Sequence, residues 1–212
     1  MQTVLTDDPQ VPACALAKRI NQQMVADQPV LWLLSGGSAI GTAVAASRLI
    51  KPNPLLSVSL ADERYGQPGH SDSNFRQLQA AGFELPIVPI LNGGTVEREA
   101  SIFARFLFDH QNDYRIGLFG MGTDGHTAGI LPDSAATADR DDLVFFYPGA
   151  KFERITVTPR FLAGLDSAHL WVQGLDKAPQ LARLQTEDEP VKQPVQYLKM
   201  AREFMIYTTL NL

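Results

Sequence analysis

The chain has 212 residues, 45% hydrophobic and 19% charged, a composition that suits a globular protein and argues against a disordered one. Lys+Arg 18 against Asp+Glu 23 gives a net charge of −5 with no basic tract, which argues against a nucleic-acid reader. The single cysteine, Cys14, excludes an intramolecular disulfide and any multi-cysteine zinc site.

The length predicts one domain over residues 1–212. Residues 1–9 lack the basic and apolar regions of a signal peptide, and no apolar run approaches the roughly 20 residues of a membrane span. The cytoplasm is the expected compartment, in keeping with the lack of cysteine pairs.

In chain order, Leu16, Ile20 and Met24 share one helical face and predict a helix over 12–26. Val30-Leu31-Trp32-Leu33-Leu34 is continuously apolar, as in a strand buried on both faces. It breaks at Ser35-Gly36-Gly37-Ser38, and an alanine-rich helix follows over 39–50, stopped by Lys51-Pro52-Asn53-Pro54. A second strand over 55–61 ends in Asp62-Glu63-Arg64. A short helix is predicted over 71–81 and a weaker strand over 86–91. Thr95 caps a helix whose face runs through Val96, Ala100, Phe103 and Leu107. Residues 115–119 form the next strand, which breaks at Gly120-Met121-Gly122-Thr123-Asp124-Gly125. Strands at 143–147, 154–158, 169–173 and 204–209 alternate with helices at 159–165, 176–184 and 195–202. Such alternation predicts a three-layer α/β fold with a mainly parallel, Rossmann-like sheet and helices on both faces.

Three polar motifs begin where apolar strands stop. In open α/β sheets ligands bind beyond the carboxyl ends of the strands, so parallel strands would bring 35–38, 62–64 and 120–126 to one edge. Gly36 and Gly37 between strand and helix suit either an ordinary tight turn or an anion site, with bare N–H groups at the helix's positive end and the Ser38 hydroxyl beside them. Asp62-Glu63-Arg64 reads either as a structural ion pair or as a site group. In the latter, Arg64 clamps a phosphate or carboxylate and Asp62 positions a hydroxyl. The G-x-G-x-x-G at Gly120 fails as a dinucleotide fingerprint, because Asp141 and Asp142 precede the next strand rather than end it. His126, two residues after Asp124, is either a surface histidine or a general base oriented by that carboxylate. The four histidines show no zinc-ligand spacing, and no Gly-x-Ser-x-Gly elbow occurs. Arg154 opens a strand and Lys177 stands near a helix start, where its charge works against the helix dipole. Each is either solvated or a phosphate partner.

Taken together, these motifs resemble the glucosamine-6-phosphate isomerase/6-phosphogluconolactonase family over about residues 31–177. The match comprises Ser35-Gly36-Gly37-Ser38, Asp62-Glu63-Arg64 with Ser73-Asn74, the run from Gly120 to Ala128, Ile130-Leu131-Pro132, Arg154-Ile155-Thr156-Val157-Thr158 and Gly174-Leu175-Asp176-Lys177. Thr127-Ala128 and the ending at Pro132 are similar to the lactonase branch. The resemblance implies hydrolysis of 6-phospho-D-glucono-1,5-lactone to 6-phospho-D-gluconate in the oxidative pentose phosphate pathway. It places the sugar phosphate on Gly36, Gly37 and Ser38, with Arg154 and Lys177 as phosphate partners and His126 as base. Asp124 would orient the imidazole and Asp62 would hold a hydroxyl. Arg64 would either stabilise the oxyanion or pair with Asp62. No metal or organic cofactor is called for. The partner is a small-molecule sugar-phosphate lactone, not a nucleic acid or membrane, and a monomer or weak homo-oligomer is expected. An isomerase or deaminase of the glucosamine-6-phosphate type and a non-catalytic sugar-phosphate sensor are the alternatives. Three departures from the family pattern stand out: Ala39 in place of a proline, Gly66-Gln67 in place of a more apolar pair, and a C-terminal helix expected to be shortened or absent.

Overall fold

The computed structural model describes residues 1–149 and 151–210. All five residues of β2 (Val30–Leu34) are buried, because the strand lies between two neighbours and under helices, where only apolar side chains fit both faces. It pairs in parallel with β3 (Leu56–Leu60) on one side and β5 (Tyr114–Gly120) on the other. Beyond β5 come β8 (Ser167–Val172), β9 (Glu203–Thr208) and the edge strand β1 (Gln2–Leu5), giving the order β1-β9-β8-β5-β2-β3 with every neighbour parallel. Helices α1 (Gln10–Val25), α2 (Ile40–Ser47), α3 (Asn74–Ala80), α4 (Val96–Asp109), α5 (Pro159–Ala163) and α6 (Ala178–Thr186) flank the sheets. One continuous apolar cluster, with Trp32, Phe119 and Phe161 among its largest members, fills the space between them. Among the described residues no helix is long and apolar enough to cross a membrane.

The structure departs from the expected elements in five places. Residues 62–64 are not a loop but a strand, β4 (Asp62–Arg64), which pairs antiparallel with β7 (Glu153–Val157), itself paired antiparallel with β6 (Val144–Pro148). The expected strands at 143–147 and 154–158 therefore build a separate three-stranded sheet rather than extending the parallel one. The connection between them is too short for a parallel crossover, which needs a dozen or more residues. Ala61 is the joint: its N–H bonds Leu34 O at 2.8 Å in the large sheet, and its carbonyl accepts from Val157 N at 2.9 Å in the small one. Residues 86–91 make only one bridge, Ser59 to Val88, since Pro86 and Pro89 bring no N–H to a ladder. The helix expected at 195–202 is a 3-10 turn over Pro194–Met200, and β1 was not foreseen. The remaining helices fall within a few residues of expectation.

Because the large sheet is parallel, the turns after β2, β5 and β8 all leave from one edge. The small sheet hangs from that edge at Ala61, and this places the polar motifs together.

Candidate active site

The site is a pocket of about 620 Å³ including its open mouth, walled by Ser35, Gly36, Gly37 and Ser38 from one turn, Gly120, Met121, Gly122 and His126 from another, Asp62, Arg64 and Arg154 from the small sheet, and Asn74 and Lys177. Eight of the nine expected site residues line it. The ninth, Asp124, stands behind His126.

After β2 the chain turns through Gly36 and Gly37 into a 3-10 turn over Gly37–Ala39 that leads into α2. This puts the turn into the helix start on the wall of the pocket, where an anion is favoured. A Cβ at Gly36 would stand 2.1 Å from Asn74 Oδ1, so only glycine fits there.

After β5, Nδ1 of His126 lies 2.6 Å from Oδ1 of Asp124, which also accepts from the His126 N–H at 3.1 Å. Gly122 allows this closeness, since a Cβ on it would come within 2.1 Å of His126 Nδ1 and 2.4 Å of Asp124 Oδ1. The hydrogen bond from His126 holds the Asp124 carboxyl down to about 2. An ionised Asp124 accepts a hydrogen bond from Nδ1–H, which fixes the tautomer and leaves the Nε2 lone pair free. The following loop is tied to the small sheet: Tyr147 Oη donates to Gly129 O at 2.7 Å, and Thr156 Oγ1 bonds Ala128 O.

On β4, Asp62 is buried, and burial pushes its pKa up against the pull of Arg154, Arg64 and His126. Its ion pair is a loose one with Arg154, 3.8 Å between Nη1 and Oδ2, rather than one with Arg64. Arg64 instead donates from Nη1 to Asp72 O at 2.7 Å. Glu63 points away from the pocket into the protein. Its carboxylate accepts from Ser73 Oγ at 2.9 Å, Asn74 N at 2.8 Å, Phe75 N at 3.1 Å and Arg64 N at 2.8 Å. Burial still pushes its pKa up. Lys177 Nζ reaches across to Met121 O at 2.8 Å.

Ser35 and Asn74 also face the pocket and were not among the expected binding residues. In the sequence Asn74 stands out only as part of the Ser73-Asn74 pair. Four buried polar atoms of pocket residues, Ser35 Oγ, Arg64 Nε, Asn74 Oδ1 and Arg154 Nε, have no hydrogen-bond partner among the described residues. Buried polar groups of this kind are costly; a ligand or solvent would serve those of Ser35, Arg64 and Arg154, while Asn74 Oδ1 is covered by the glycine turn. Among the described residues no group of three or more His, Cys, Asp or Glu side chains converges to hold a metal ion.

This is a parallel α/β protein with an oriented histidine and several cations in one cleft at the sheet's carboxyl edge. Residues 9–207 match the family of glucosamine-6-phosphate isomerases/6-phosphogluconolactonase, and the chain belongs to that family. A 6-phosphogluconolactonase of Nostoc sp. is 30% identical over 168 residues, 71% of this chain and 69% of the relative. One of Helicobacter pylori is 27% identical over 146 residues, covering 65% of this chain and 64% of the relative, just under two thirds of its length. The crystal structure of a 6-phosphogluconolactonase from Thermotoga maritima superposes with a TM-score of 0.80 at 21% identity, over 98% of both chains. A monomeric glucosamine-6-phosphate deaminase superposes with a TM-score of 0.78 at 14% identity, over 98% of this chain and 97% of that one. Both branches of the family thus share this fold.

Proposed function

We propose that this protein hydrolyses 6-phospho-D-glucono-1,5-lactone to 6-phospho-D-gluconate, with His126 as general base. The observation that carries the reading is the 2.6 Å Asp124–His126 pair in a pocket that also presents Arg64, Arg154 and Lys177. The phosphate rests on the Gly36–Ser38 turn with Arg154 and Lys177 beside it, so that its charge becomes orientation at the other end of the sugar. Nε2 of His126 takes a proton from water as the water oxygen bonds to C1. The tetrahedral intermediate then collapses, the bond from C1 to the ring oxygen breaks, and the imidazolium returns the proton to that oxygen. The acid product loses its own proton to solvent. Asp124 keeps the imidazole in the required tautomer and Asp62 accepts from a substrate hydroxyl, while Arg64, opposite Arg154 on the paired strand, helps hold the phosphate.

The names of the sequence relatives and the family's extent over residues 9–207 support the choice of substrate. A doubly charged sugar phosphate does not cross a bilayer unaided, which supports a cytoplasmic enzyme of a small molecule and is checked by cell fractionation.

The test is hydrolysis of the freshly made lactone followed against its spontaneous rate, with glucosamine 6-phosphate assayed in parallel. The unaltered protein is expected to accelerate the first and leave the second untouched. His126→Ala is expected to lose about 10²- to 10⁴-fold of kcat. A rate no faster than background overturns the activity, and an unimpaired His126→Ala overturns the base.

A further inference from the structure

Asn74 is only 1% exposed, yet its side-chain amide lies between two parts of the pocket that are far apart in sequence. Its Nδ2 donates to the carbonyl of Asp62 at 2.9 Å. Its Oδ1 is pressed against the glycine turn, where a Cβ on Gly36 would stand 2.1 Å from it, and it has no hydrogen-bond partner among the described residues. The residue is fixed from behind, since its N–H is held by Glu63 Oε1 at 2.8 Å while Glu63 Oε2 grips Ser73 Oγ and Phe75 N.

We propose that Asn74 is a positioning residue that sets the separation between the phosphate-binding turn at Gly36 and the Asp62 carboxylate. The inference rests on the function proposed above. The amide is too deeply covered to meet substrate, so its effect passes through Gly36 and Asp62. Oδ1 faces Gly36 without a hydrogen-bond partner among the described residues, and an apolar side chain would fill the space without an orphaned oxygen. What the amide adds over such a side chain is the fixed bond to Asp62 combined with close contact at Gly36. A rigid link of this kind lets binding at the phosphate be used for orientation at C1.

The consequence is specific to phosphorylated substrate. Asn74→Leu keeps the branched four-atom shape with bulkier methyls and removes the link. It is expected to cut kcat/KM for 6-phosphogluconolactone about tenfold more than that for unphosphorylated glucono-1,5-lactone. Binding of inorganic phosphate, followed by calorimetry, is expected to weaken by about the same factor, since Gly36 is no longer held. Equal losses on the two lactones together with unchanged phosphate binding overturn the proposal and leave Asn74 as a packing residue. Should Asn74→Leu not fold, Asn74→Ala removes the same link with a smaller side chain, and the same two readouts decide. If the unaltered protein hydrolyses neither lactone, the proposed function falls while phosphate binding by the variants still tests the link.

Discussion

Arg64 and Arg154 stand directly opposite each other across β4 and β7. Tyr65 N bonds Glu153 O at 2.8 Å, which makes the two arginines a non-hydrogen-bonded pair, the closer kind, with Cα atoms about 4.5 Å apart. Like charges placed this way repel. Asp62 offsets one of them at 3.8 Å, and each arginine keeps a buried Nε without a partner among the described residues. The pair is therefore set up to hold an anion.

Inorganic phosphate should raise the melting temperature. A ligand at a hundred times its Kd adds about 2.7 kcal/mol, or about 5–10 °C for a chain of this size. Arg64→Gln removes the repulsion without taking the counter-ion from Asp62, so its melting temperature without phosphate should not fall. Its phosphate-induced rise should be less than half the parent's. Thermal melts with and without phosphate check this, and an undiminished rise in the variant would contradict it.

Gly122→Ala tests how tightly the histidine is seated. The new methyl meets His126 Nδ1 at 2.1 Å and Asp124 Oδ1 at 2.4 Å, so the pair must separate while the phosphate end stays untouched. The expected result is a loss of kcat of about a hundredfold, with the affinity for 6-phosphogluconate within about threefold of the parent. Steady-state rates and product binding separate the two effects.

Asp124→Asn replaces an acceptor with a group that can turn its amide N–H toward Nδ1 of His126. The imidazole proton then moves to Nε2, the atom required as base. A loss of about a hundredfold or more in kcat at neutral pH is expected. Because the parent carboxyl titrates at about 2, it stays ionised wherever the protein is assayed, so no acid limb of the parent's pH profile should trace to Asp124. A variant retaining full rate would show that orientation by the carboxylate is dispensable.

The central strands were legible because burial on both faces demands unbroken apolar runs, and Val30–Leu34 shows this directly. In β1, by contrast, Gln2, Thr3 and Leu5 are exposed and only Val4 is half-buried. It is a strand because β9 offers it an open edge, which no local pattern encodes. Asp62-Glu63-Arg64 reads as a loop for the same reason: the strand forms because β7 pairs with it, and its buried carboxylates are served by Arg154 and by the start of α3. The pocket's glycines, histidine and cations were visible as interruptions at strand ends. The contact between Asn74 and Gly36 was not, since it exists only once α3 has folded against the turn.

His169 gives a prediction about stability rather than activity. It is buried on β8, with Nε2 3.0 Å from Ser167 Oγ and Nδ1 3.1 Å from Tyr207 Oη. Burial lowers its pKa from 6.5 to about 3, so it is neutral in the folded protein. The unfolded chain protonates near 6.5, and protons taken up only by the unfolded state favour unfolding. The stability that His169 contributes is thus complete above pH 6.5 and is lost progressively as the pH falls toward 3, at up to about 1.4 kcal/mol per pH unit. His169→Asn keeps a hydrogen-bonding amide but cannot titrate. It should be less stable than the parent at pH 7.5, because it packs less well, and the gap should narrow steadily between pH 6.5 and 4. Urea unfolding at several pH values measures the gap directly. A gap constant with pH would mean that His169 does not resist protonation in the fold.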